Sequence, residues 1–355
     1  MKRIGVVFGG TSSEYEVSLK STVAVLKALE SLPYEVMMIG ITKEGDWLWY
    51  QESVSLIEND TWFLESSCVP LSFDFTGQGF VNKATNQGVL VDIVFPVLHG
   101  GDGENGAIQG LFEMMNLSFV GCGVSASSIS MNKMLLHEFA KTVGVKSTPS
   151  LLINTKKITK EVEIFINEAG FPLFVKPNEA GSSKGISKVE SEAELEKALE
   201  EAFKFDSKVI LQKEVVGIEI GCSVLGNEDL TVGACDQVNL AQGFFDYEEK
   251  YNLITAGIQV PSIIDITLQQ EIKEQAQRLY KALGCSGLAR IDFFLTTDNQ
   301  ILLNEINTMP GFTDHSRYPM MMKEIGLSFE QIIEALIKLG VERHGAKLSK
   351  TSESN

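Results

Sequence analysis

The stretch ARIDFFLTTDNQILLNEIN, residues 289–307, decides the fold of the C-terminal part of the chain. It consists of two short apolar runs that flank a polar turn, a pattern typical of a β-hairpin. With Asp298 and Asn299 as a two-residue loop, the turn fixes which residues pair across the two strands. The stretch therefore predicts two antiparallel strands with a defined register.

In this register, four polar side chains lie on one face of the hairpin. Asp292 faces Glu305 and Arg290 faces Asn307, because side chains alternate across a strand. Two opposed carboxylates repel unless a positive charge lies between them, and two acids with an amide oxygen suit Mg²⁺ beside nucleotide phosphates. We therefore expect a magnesium site here, with a salt-bridged surface hairpin as the alternative. The other face carries apolar side chains that predict a core: Ile291, Phe293 and Ile306.

Length and composition indicate a globular protein of two or three domains. The chain has 355 residues, and domains cluster near about 100–150 residues. Hydrophobic residues make up 44% and charged residues 22%, and no apolar run reaches the ~20 residues of a membrane span. The formal net charge of −17 argues against nucleic acid or an anionic membrane as a partner. The five cysteines show no CxxC spacing and predict reduced thiols in a cytoplasmic protein.

Apolar periodicity predicts alternating strands and helices in the first third of the chain. The predicted strands are 3–8, 34–41 and 91–98, and the predicted helices are 18–31 and 106–115. This alternation favours a mainly parallel α/β sheet. Residues 50–90 give no clear pattern.

The remaining two thirds mix further strands with amphipathic helices. The predicted strands are 171–177, 185–190, 208–213 and 219–226, and the predicted helices are 128–143, 191–204, 265–283 and 328–339. Residues 239–258 are polar and aromatic without periodicity, as in long loops that are functional or disordered. Domain boundaries are expected near 122 and 215.

A Gly/Ser loop follows a lysine at the end of a predicted strand, in FVKPNEAGSSKG (residues 174–185). Glycine and serine let backbone N–H groups approach phosphate oxygens, and Lys176 adds positive charge. The order of residues required for a Walker A loop is absent. Together with the acidic hairpin, the loop favours a nucleotide-binding flap over a merely flexible hairpin.

Two glycine turns follow predicted strands, in FGGTSSE (residues 8–14) and HGGDGENG (residues 99–106). Ligands gather at the carboxyl ends of strands in open α/β sheets. Glu14 is suited either to cap a helix or to bind the ammonium group of an amino-acid substrate. His99 is either a ligand contact or an incidental residue of a tight turn.

The segment NTMPGFTDHSR (residues 307–317) follows the second strand of the hairpin directly. Its backbone N–H groups and Ser316 are suited to hold a substrate carboxylate or a developing oxyanion. Arg317 supplies a charged hydrogen-bonding fork.

Taken in order, these motifs resemble those of the D-alanine–D-alanine ligase family of the ATP-grasp superfamily. The matching segments are 8–14, 98–100, 176–183, 246–251, 290–292 and 304–311, and the resemblance covers roughly residues 3–340. It implies an α/β fold, α+β in the ATP-binding part, in which an ATP-grasp fold follows an N-terminal parallel-sheet, Rossmann-like domain. It also implies a cytoplasmic homodimer. The expected divisions are an N-terminal domain, a central ATP-grasp subdomain, a C-terminal ATP-grasp domain and a polar tail, at residues 1–122, 123–215, 216–345 and 346–355.

The resemblance implies an ATP-dependent ligation. ATP phosphorylates the carboxylate of a first D-alanine, and the amine of a second D-amino acid then displaces phosphate, a step that needs charge neutralisation above all. Two Mg²⁺ ions, with Mn²⁺ as the alternative, are implied on Asp292, Glu305 and Asn307. The residues implied at ATP are Lys133, Lys176, Ser183, Gln212, Lys213, Glu219 and Lys250. Gln212 replaces the glutamate usual at the adenine amino group, and its amide oxygen can accept the same hydrogen bond.

Other matching residues are implied in the chemistry. Glu14 matches the anchor of the first D-alanine ammonium group, with His99 close to that subsite. Arg290 and the Gly311 N–H match groups that stabilise the tetrahedral intermediate. Ser182 and Tyr251 match the hydrogen-bonded pair that holds the 239–258 loop closed and excludes water.

The second substrate depends on the residue that follows Ser316, which matches the group binding its carboxylate. D-alanine–D-alanine ligases usually carry leucine there, whereas Arg317 resembles the vancomycin-resistance-type ligases. The 239–258 loop keeps Lys250 and Tyr251 and contains no histidine, which resembles the D-alanine–D-serine ligases and not those that join D-lactate. A guanidinium can pair with the D-serine hydroxyl, and hydrogen-bonding sites discriminate sharply. The expected product is a peptidoglycan precursor with an altered terminus, as in glycopeptide resistance.

Other functions remain as alternatives. Tyr247 is as in housekeeping enzymes, so a D-alanine–D-alanine ligase is the nearest alternative. A non-catalytic nucleotide sensor would be expected to lose a metal ligand or the catalytic arginine, and this chain keeps both. An ATP-dependent carboxylase of the superfamily would share the hairpin but not Glu14 or the 246–251 segment.

Overall fold

Seven strands form a mixed sheet in the N-terminal part of the chain. The computed structural model describes residues 1–76, 79–181, 184–239 and 257–353. The strands are β1 (Lys2–Gly9), β2 (Tyr34–Ile41), β3 (Trp47–Tyr50), β4 (Val69–Asp74), β5 (Gly79–Asn82), β6 (Gly88–Val89) and β7 (Ile93–Val97). Their order is β6-β5-β4-β3-β2-β1-β7, and only β1 pairs in parallel, with β2 and with β7. The carboxyl ends of β1 and β7 therefore lie side by side, where the strand order reverses.

The helices of this part confirm the predicted alternation. They are α1 (Tyr15–Leu29), the short α2 (Val54–Glu58) and α3 (Ala107–Met114). Residues 50–90, which gave no clear pattern, supply the antiparallel half of the sheet in strands too short to show one. Within that region the buried Trp62 ring packs on Gly40, where an added Cβ would lie 2.2 Å from it. The sheet is thus parallel only in β2, β1 and β7.

A smaller antiparallel sheet forms the middle of the chain. Its strands are β8 (Ser150–Ile153), β9 (Leu173–Pro177), β10 (Ser187–Val189) and β11 (Val209–Lys213), in the order β10-β9-β11-β8. Two helices accompany it, α6 (Lys160–Ala169) and α7 (Glu192–Ala202). Val175 and Val209 of the sheet pack with Leu195 and Leu199 of α7 in one core.

Five antiparallel strands form the C-terminal sheet. They are β12 (Gly217–Gly226), β13 (Leu230–Asn239), β14 (Gly257–Gln259), β15 (Gly287–Thr296) and β16 (Ile301–Asn307), in the order β14-β13-β12-β15-β16. The helices in this half are α4 (Val124–Met131), α5 (Lys133–Thr142), α8 (Ile266–Ala282), α9 (Arg317–Glu324) and α10 (Phe329–Glu353). Ile291, Phe293 and Ile306 are buried in its core, as the hairpin pattern predicted.

The helix predicted at 128–143 is two helices. Asn132 adopts an extended backbone (φ −84°, ψ 98°), and its side-chain oxygen accepts the Leu135 N–H at 3.0 Å. Asparagine is a strong N-cap residue, so it ends α4 and starts α5.

The last helix extends well beyond its predicted end at residue 339. Gly340 lets it approach Phe119 closely, because an added Cβ would lie 2.7 Å from the Phe119 carbonyl oxygen. Arg343 then lies over the Phe119 ring and donates to the Gly121 carbonyl oxygen at 2.5 Å. Gly340 and Arg343 both lie beyond the predicted end of the helix but before the polar tail predicted at residues 346–355.

Helices pack across the domain boundaries predicted near residues 122 and 215. The boundaries themselves remain a prediction. Each sheet falls within one predicted division, but α4 and α5 contribute Ala126, Leu136 and Ala140 to the core of the C-terminal sheet. Helix α10 packs against α1 in the core of the N-terminal part. Within the ranges that the structure describes, no helix has both the length and the apolar character needed to cross a membrane.

The hairpin register is as predicted at the polar residues, but for a different reason. Arg290 pairs with Asn307 and Asp292 with Glu305. The loop, however, has three residues, 297–299, since the Thr296 N–H bonds the Gln300 carbonyl oxygen. This shifts the pairs near the turn by one residue, and a β-bulge at Asn304 shifts them back. The prediction of a two-residue loop was wrong, while the predicted face of the hairpin is confirmed.

The three-residue loop requires a left-handed residue at its end, and Asn299 occupies that position with φ 63°. We expect Asn299→Val to lower the free energy of unfolding by about 1–2 kcal/mol, because a β-branched residue is strained there. Asn299→Gly is the matched control and should be at least as stable as the wild type. The urea midpoints of the two variants measure the difference, and equal midpoints would contradict this account of the turn.

Candidate active site

A cavity of about 330 Å³ opens where the segment after β16 meets the two glycine turns. It lies beside the carboxyl ends of β1 and β7, the position expected for a ligand in an open α/β sheet. Nine of the predicted site residues line it: Glu14, His99, Lys133, Arg290, Glu305, Asn307, Gly311, Ser316 and Arg317. The structure therefore brings together residues that are up to 303 positions apart in the sequence.

Asp292 is the most enclosed of the predicted metal ligands, with 1% of its surface exposed. Arg290 Nε donates to its two carboxylate oxygens at 2.9 and 3.0 Å, and Arg290 Nη2 donates at 2.8 Å. The Asn307 amide nitrogen donates to Asp292 Oδ2 at 3.0 Å. Asp292, Glu305 and Asn307 thus lie together at the end of the hairpin.

The donor set of this cluster fits Mg²⁺. It comprises two carboxylates and one amide, and the described residues contain no group of three or more His, Cys, Asp and Glu side chains suited to a metal. A site of one or two carboxylates that relies on phosphate and water oxygens is typical of Mg²⁺ in nucleotide enzymes. A self-contained zinc site would need more nitrogen or sulfur ligands.

Arg317 lies in the cavity wall, and three carboxylates surround its guanidinium group. Nε and Nη2 donate to Asp236 at 2.6 and 2.9 Å, and Nη1 donates to Glu219 at 2.6 Å. Asp292 Oδ1 lies 3.5 Å from Nη2. Burial would raise the pKa of Asp236, but the charge and hydrogen bonds of Arg317 outweigh it and lower that pKa. Glu219, expected at ATP, is therefore also a partner of the arginine.

Glycine at position 221 makes room for this guanidinium group. Gly221 pairs with Asp236 on one side and with Asp292 on the other. An added Cβ at Gly221 would lie 2.6 Å from Arg317 Nη2. Asp236, which the sequence analysis missed, is recognisable only as a single acid within an otherwise buried strand.

Glu14 precedes α1 and is 92% buried, since its exposure is 8%. Its side chain makes no capping hydrogen bond, so the simple cap considered for it is not found. An added Cβ at Gly100 would lie 2.7 Å from Glu14 Oε1, and one at Gly181 would lie 2.6 Å from it. The carboxylate is thus enclosed by two glycines from different turns.

His99 connects the second glycine turn to the segment after β16. Its Nδ1 donates to the Met309 carbonyl oxygen at 3.0 Å, and its Nε2 lies 3.0 Å from Ser21 Oγ. Burial lowers the pKa of His99 despite the nearby charge of Glu14. A neutral ring that donates at Nδ1 and accepts at Nε2 satisfies both contacts.

Glu104, in the second glycine turn, also lines the cavity and was not singled out from the sequence. Its Oε2 accepts the Gly100 N–H at 3.0 Å. Burial raises the pKa of Glu104 to about 8, and the negative charges of Glu14 and Glu305 add to this increase. The signal in the sequence was an acid within a glycine-rich turn after a buried strand.

Three of the seven residues expected at ATP, Lys176, Gln212 and Lys213, lie on the middle sheet. Lys176 Nζ donates to Gln212 Oε1 at 2.5 Å, and Lys133 Nζ donates to the Ala180 carbonyl oxygen at 2.7 Å. Lys213 is exposed at the end of β11. Four of the predicted residues, Ser182, Ser183, Lys250 and Tyr251, lie outside the described residues, as does Tyr247.

The segment after β16 is folded around Ser316. The Thr313 N–H donates to Ser316 Oγ at 3.0 Å, and an added Cβ at Gly311 would lie 3.3 Å from the same oxygen. The Gly311 backbone and the Ser316 hydroxyl therefore lie next to each other in the cavity wall, where both were expected to contact substrate.

Comparisons with known proteins agree with this geometry. The family models "D-ala D-ala ligase N-terminus" and "D-ala D-ala ligase C-terminus" match residues 3–122 and 139–338. The chain is 54% identical to the vancomycin C-type resistance protein VanC1 of Enterococcus gallinarum, over 96% of this chain and 99% of that protein. It is 38% identical to a D-alanine–D-alanine ligase of Acetivibrio thermocellus, over 99% of both chains. The crystal structure of VanG D-Ala:D-Ser ligase from Enterococcus faecalis is similar with a TM-score of 0.88 and 42% identity, over 96% of this chain and 99% of that one.

His137 provides a test of the contact between α5 and the hairpin. Its Nε2 donates to the carbonyl oxygen of Asn304, the bulge residue, at 3.1 Å, and burial lowers its pKa from 6.5 to about 4. Between these pH values the unfolded chain binds a proton that the folded chain does not, so stability falls as the pH falls.

We expect the wild type to lose about 2 kcal/mol of unfolding free energy between pH 7 and pH 5 through this residue. His137→Gln should remove that part of the pH dependence. His315→Gln, at a side chain that is 91% exposed, is the matched control and should keep it. Urea unfolding at the two pH values measures the change, and equal slopes for both variants would exclude His137 as the cause.

Proposed function

Because the chain belongs to the D-alanine–D-alanine ligase family, we propose that it uses ATP to join D-alanine to D-serine. The product would be a peptidoglycan precursor with an altered terminus, which supports glycopeptide resistance. The observation that carries the proposal is the buried Arg317 guanidinium group in the wall of the cavity, beside Ser316. Joining two D-alanine molecules is the second candidate, since relatives that carry that name match nearly the whole chain.

Enzymes of this family depend on ATP and a divalent metal. We propose that Asp292, Glu305 and Asn307 hold two Mg²⁺ ions, with Mn²⁺ as a substitute, which supply charge neutralisation at the phosphates. Lys133 and Lys176, together with Lys250, would contact the phosphates. Gln212, Lys213 and Glu219 would contact the nucleoside.

The first D-alanine would bind with its ammonium group at Glu14, near His99. Its carboxylate then lies toward Arg290, where phosphorylation yields a D-alanyl phosphate. Arg290 and the Gly311 N–H would stabilise the oxyanion that forms when the second amine attacks. Ser182 and Tyr251 are proposed to hold the loop closed, so that water does not hydrolyse the acylphosphate.

Selection of D-serine is proposed to depend on the unused hydrogen-bond donors of Arg317. A guanidinium group has five N–H donors, and three of them bond to Asp236 and Glu219. Among the described residues, one N–H of Nη1 has no hydrogen-bond partner and would reach a substrate hydroxyl, whereas Nη2 also lies 3.5 Å from Asp292 Oδ1. Because Asp236 and Glu219 hold the guanidinium group in place, the group loses little conformational entropy when it binds the hydroxyl.

We further propose that the enzyme acts as a homodimer in the cytoplasm. The five cysteines are all free thiols, which suits a reducing compartment.

The decisive experiment supplies ATP, Mg²⁺, D-alanine and D-serine at equal concentrations and identifies the dipeptide by mass. A dominant D-Ala-D-Ser product would support the proposal. A dominant D-Ala-D-Ala product would favour the second candidate, and the absence of any dipeptide would contradict both.

Arg317→Lys tests whether Arg317 selects D-serine, because the variant keeps a buried positive charge beside the acids. Because lysine lacks the planar fork, we expect the ratio of kcat/KM for D-serine to that for D-alanine to fall about tenfold or more. Arg278→Lys, at an exposed arginine of α8, is the matched control. An unchanged ratio in Arg317→Lys would show that the arginine does not select the substrate.

Asp292→Asn tests the metal site. The variant keeps the size of the side chain but removes the charge that the metal needs, so we expect ATP turnover to fall by at least about 100-fold. Asp298→Asn, in the exposed turn of the same hairpin, is the control and should retain activity. Turnover of the Asp292 variant at the wild-type rate would refute the metal assignment.

A further inference from the structure

Glu104 lines the cavity, but the proposed mechanism assigns it no role. Its carboxylate accepts one hydrogen bond, from the Gly100 N–H at 3.0 Å. Among the residues that the structure describes, it makes no ion pair with a lysine, arginine or histidine. It is therefore a partly buried acid in the cavity wall with hydrogen-bonding capacity left for a ligand.

The backbone conformation of the turn that carries Glu104 directs this side chain to the cavity. Gly100 and Gly101 have positive φ angles of 67° and 48°. Gly103 lies against Leu98, where an added Cβ would be 2.7 Å from the Leu98 Cβ. The tight turn that results places Glu104 beside the backbone of Gly100.

The Glu14 and Glu104 carboxylates both approach Gly100. Glu104 bonds the Gly100 N–H, while Glu14 Oε1 is close enough to obstruct a Cβ at the same residue. The negative charge of Glu14 adds to the cost of charging Glu104, so a cation that both carboxylates can contact would relieve that cost. An ammonium group has three N–H donors and suits two separate carboxylates.

We propose that Glu104 is a second acceptor for the ammonium group of the first amino acid, which it shares with Glu14. This inference rests on the proposed function, because it concerns the first subsite of that reaction. It makes recognition of the first substrate depend on two acids from two different glycine turns. An acid without an α-ammonium group would bring no positive charge to these carboxylates and is therefore excluded.

The test isolates the first subsite by trapping the acylphosphate with hydroxylamine. The hydroxylamine nitrogen forms a bond to the acyl carbon, the bond from that carbon to the phosphate oxygen breaks, and phosphate leaves with the hydroxamate as product. Varying D-alanine at saturating ATP and hydroxylamine then gives a KM that reports on the first subsite. The variant is Glu104→Gln, whose amide oxygen can still accept the Gly100 N–H.

We expect Glu104→Gln to raise this KM about 10- to 100-fold, the range for losing a hydrogen bond to a charged group. The KM for D-serine in dipeptide synthesis and the Kd for ATP should stay near their wild-type values. Asp102→Asn, in the same turn but outside this cavity, is the matched control and should change none of them. The melting temperature of each variant reports whether the turn is intact.

Three outcomes would overturn the inference. An unchanged KM for D-alanine would show that the charge of Glu104 is not needed, and a change confined to D-serine would place Glu104 in the second subsite. A raised KM accompanied by a large loss of melting temperature, reproduced by Asp102→Asn, would show a structural role of the turn. If the wild type forms no hydroxamate at all, the proposed function fails instead.

Discussion

The arrangement of the active site depends on a buried cation that offsets three acids on neighbouring strands. Glu219, Asp236 and Asp292 come from β12, β13 and β15, and Arg317 is their common partner. Carboxylates enclosed this closely are stable only when a charge with good hydrogen-bond geometry compensates them. The guanidinium fork meets that requirement and also ties the start of α9 to the centre of the C-terminal sheet. The proposed metal ligand Asp292 and the proposed second subsite at Arg317 consequently belong to one group of interacting charges.

The hairpin illustrates how far local sequence patterns predict such a site. The alternation of apolar and polar residues in 289–307 correctly placed Arg290, Asp292, Glu305 and Asn307 on one face. The predicted loop was one residue too short, and the bulge at Asn304 restores the predicted register at the polar residues. Burial of one face strongly constrains which side chains point inward, so the face is predictable even where the loop is not. His137 bonds the bulge residue, which shows what holds the irregularity in place.

Residues whose importance depends on distant partners were not predictable in the same way. Asp236 matters because Arg317, 81 positions later, approaches it across Gly221. Glu104 matters because a turn places it across Gly100 from Glu14. Neither relationship leaves a periodic trace in the sequence. The family resemblance identified residues that match known motifs, but contacts between a motif and a residue outside it, such as Arg317 with Asp236, required the structure.

The shared cation also constrains how substrate selectivity can change. Replacing Arg317 by leucine alone would remove the guanidinium group that donates two hydrogen bonds to the buried Asp236, and breaking a buried ion pair typically costs about 3–5 kcal/mol. The same replacement would alter the charge beside Asp292, so nucleotide turnover would respond together with substrate choice. A leucine at position 317 is therefore compatible with this fold only if position 236 loses its charge as well. If Arg317 selects the second amino acid as proposed, selectivity is thus a property of a group of residues on three strands and one helix, and not of position 317 alone.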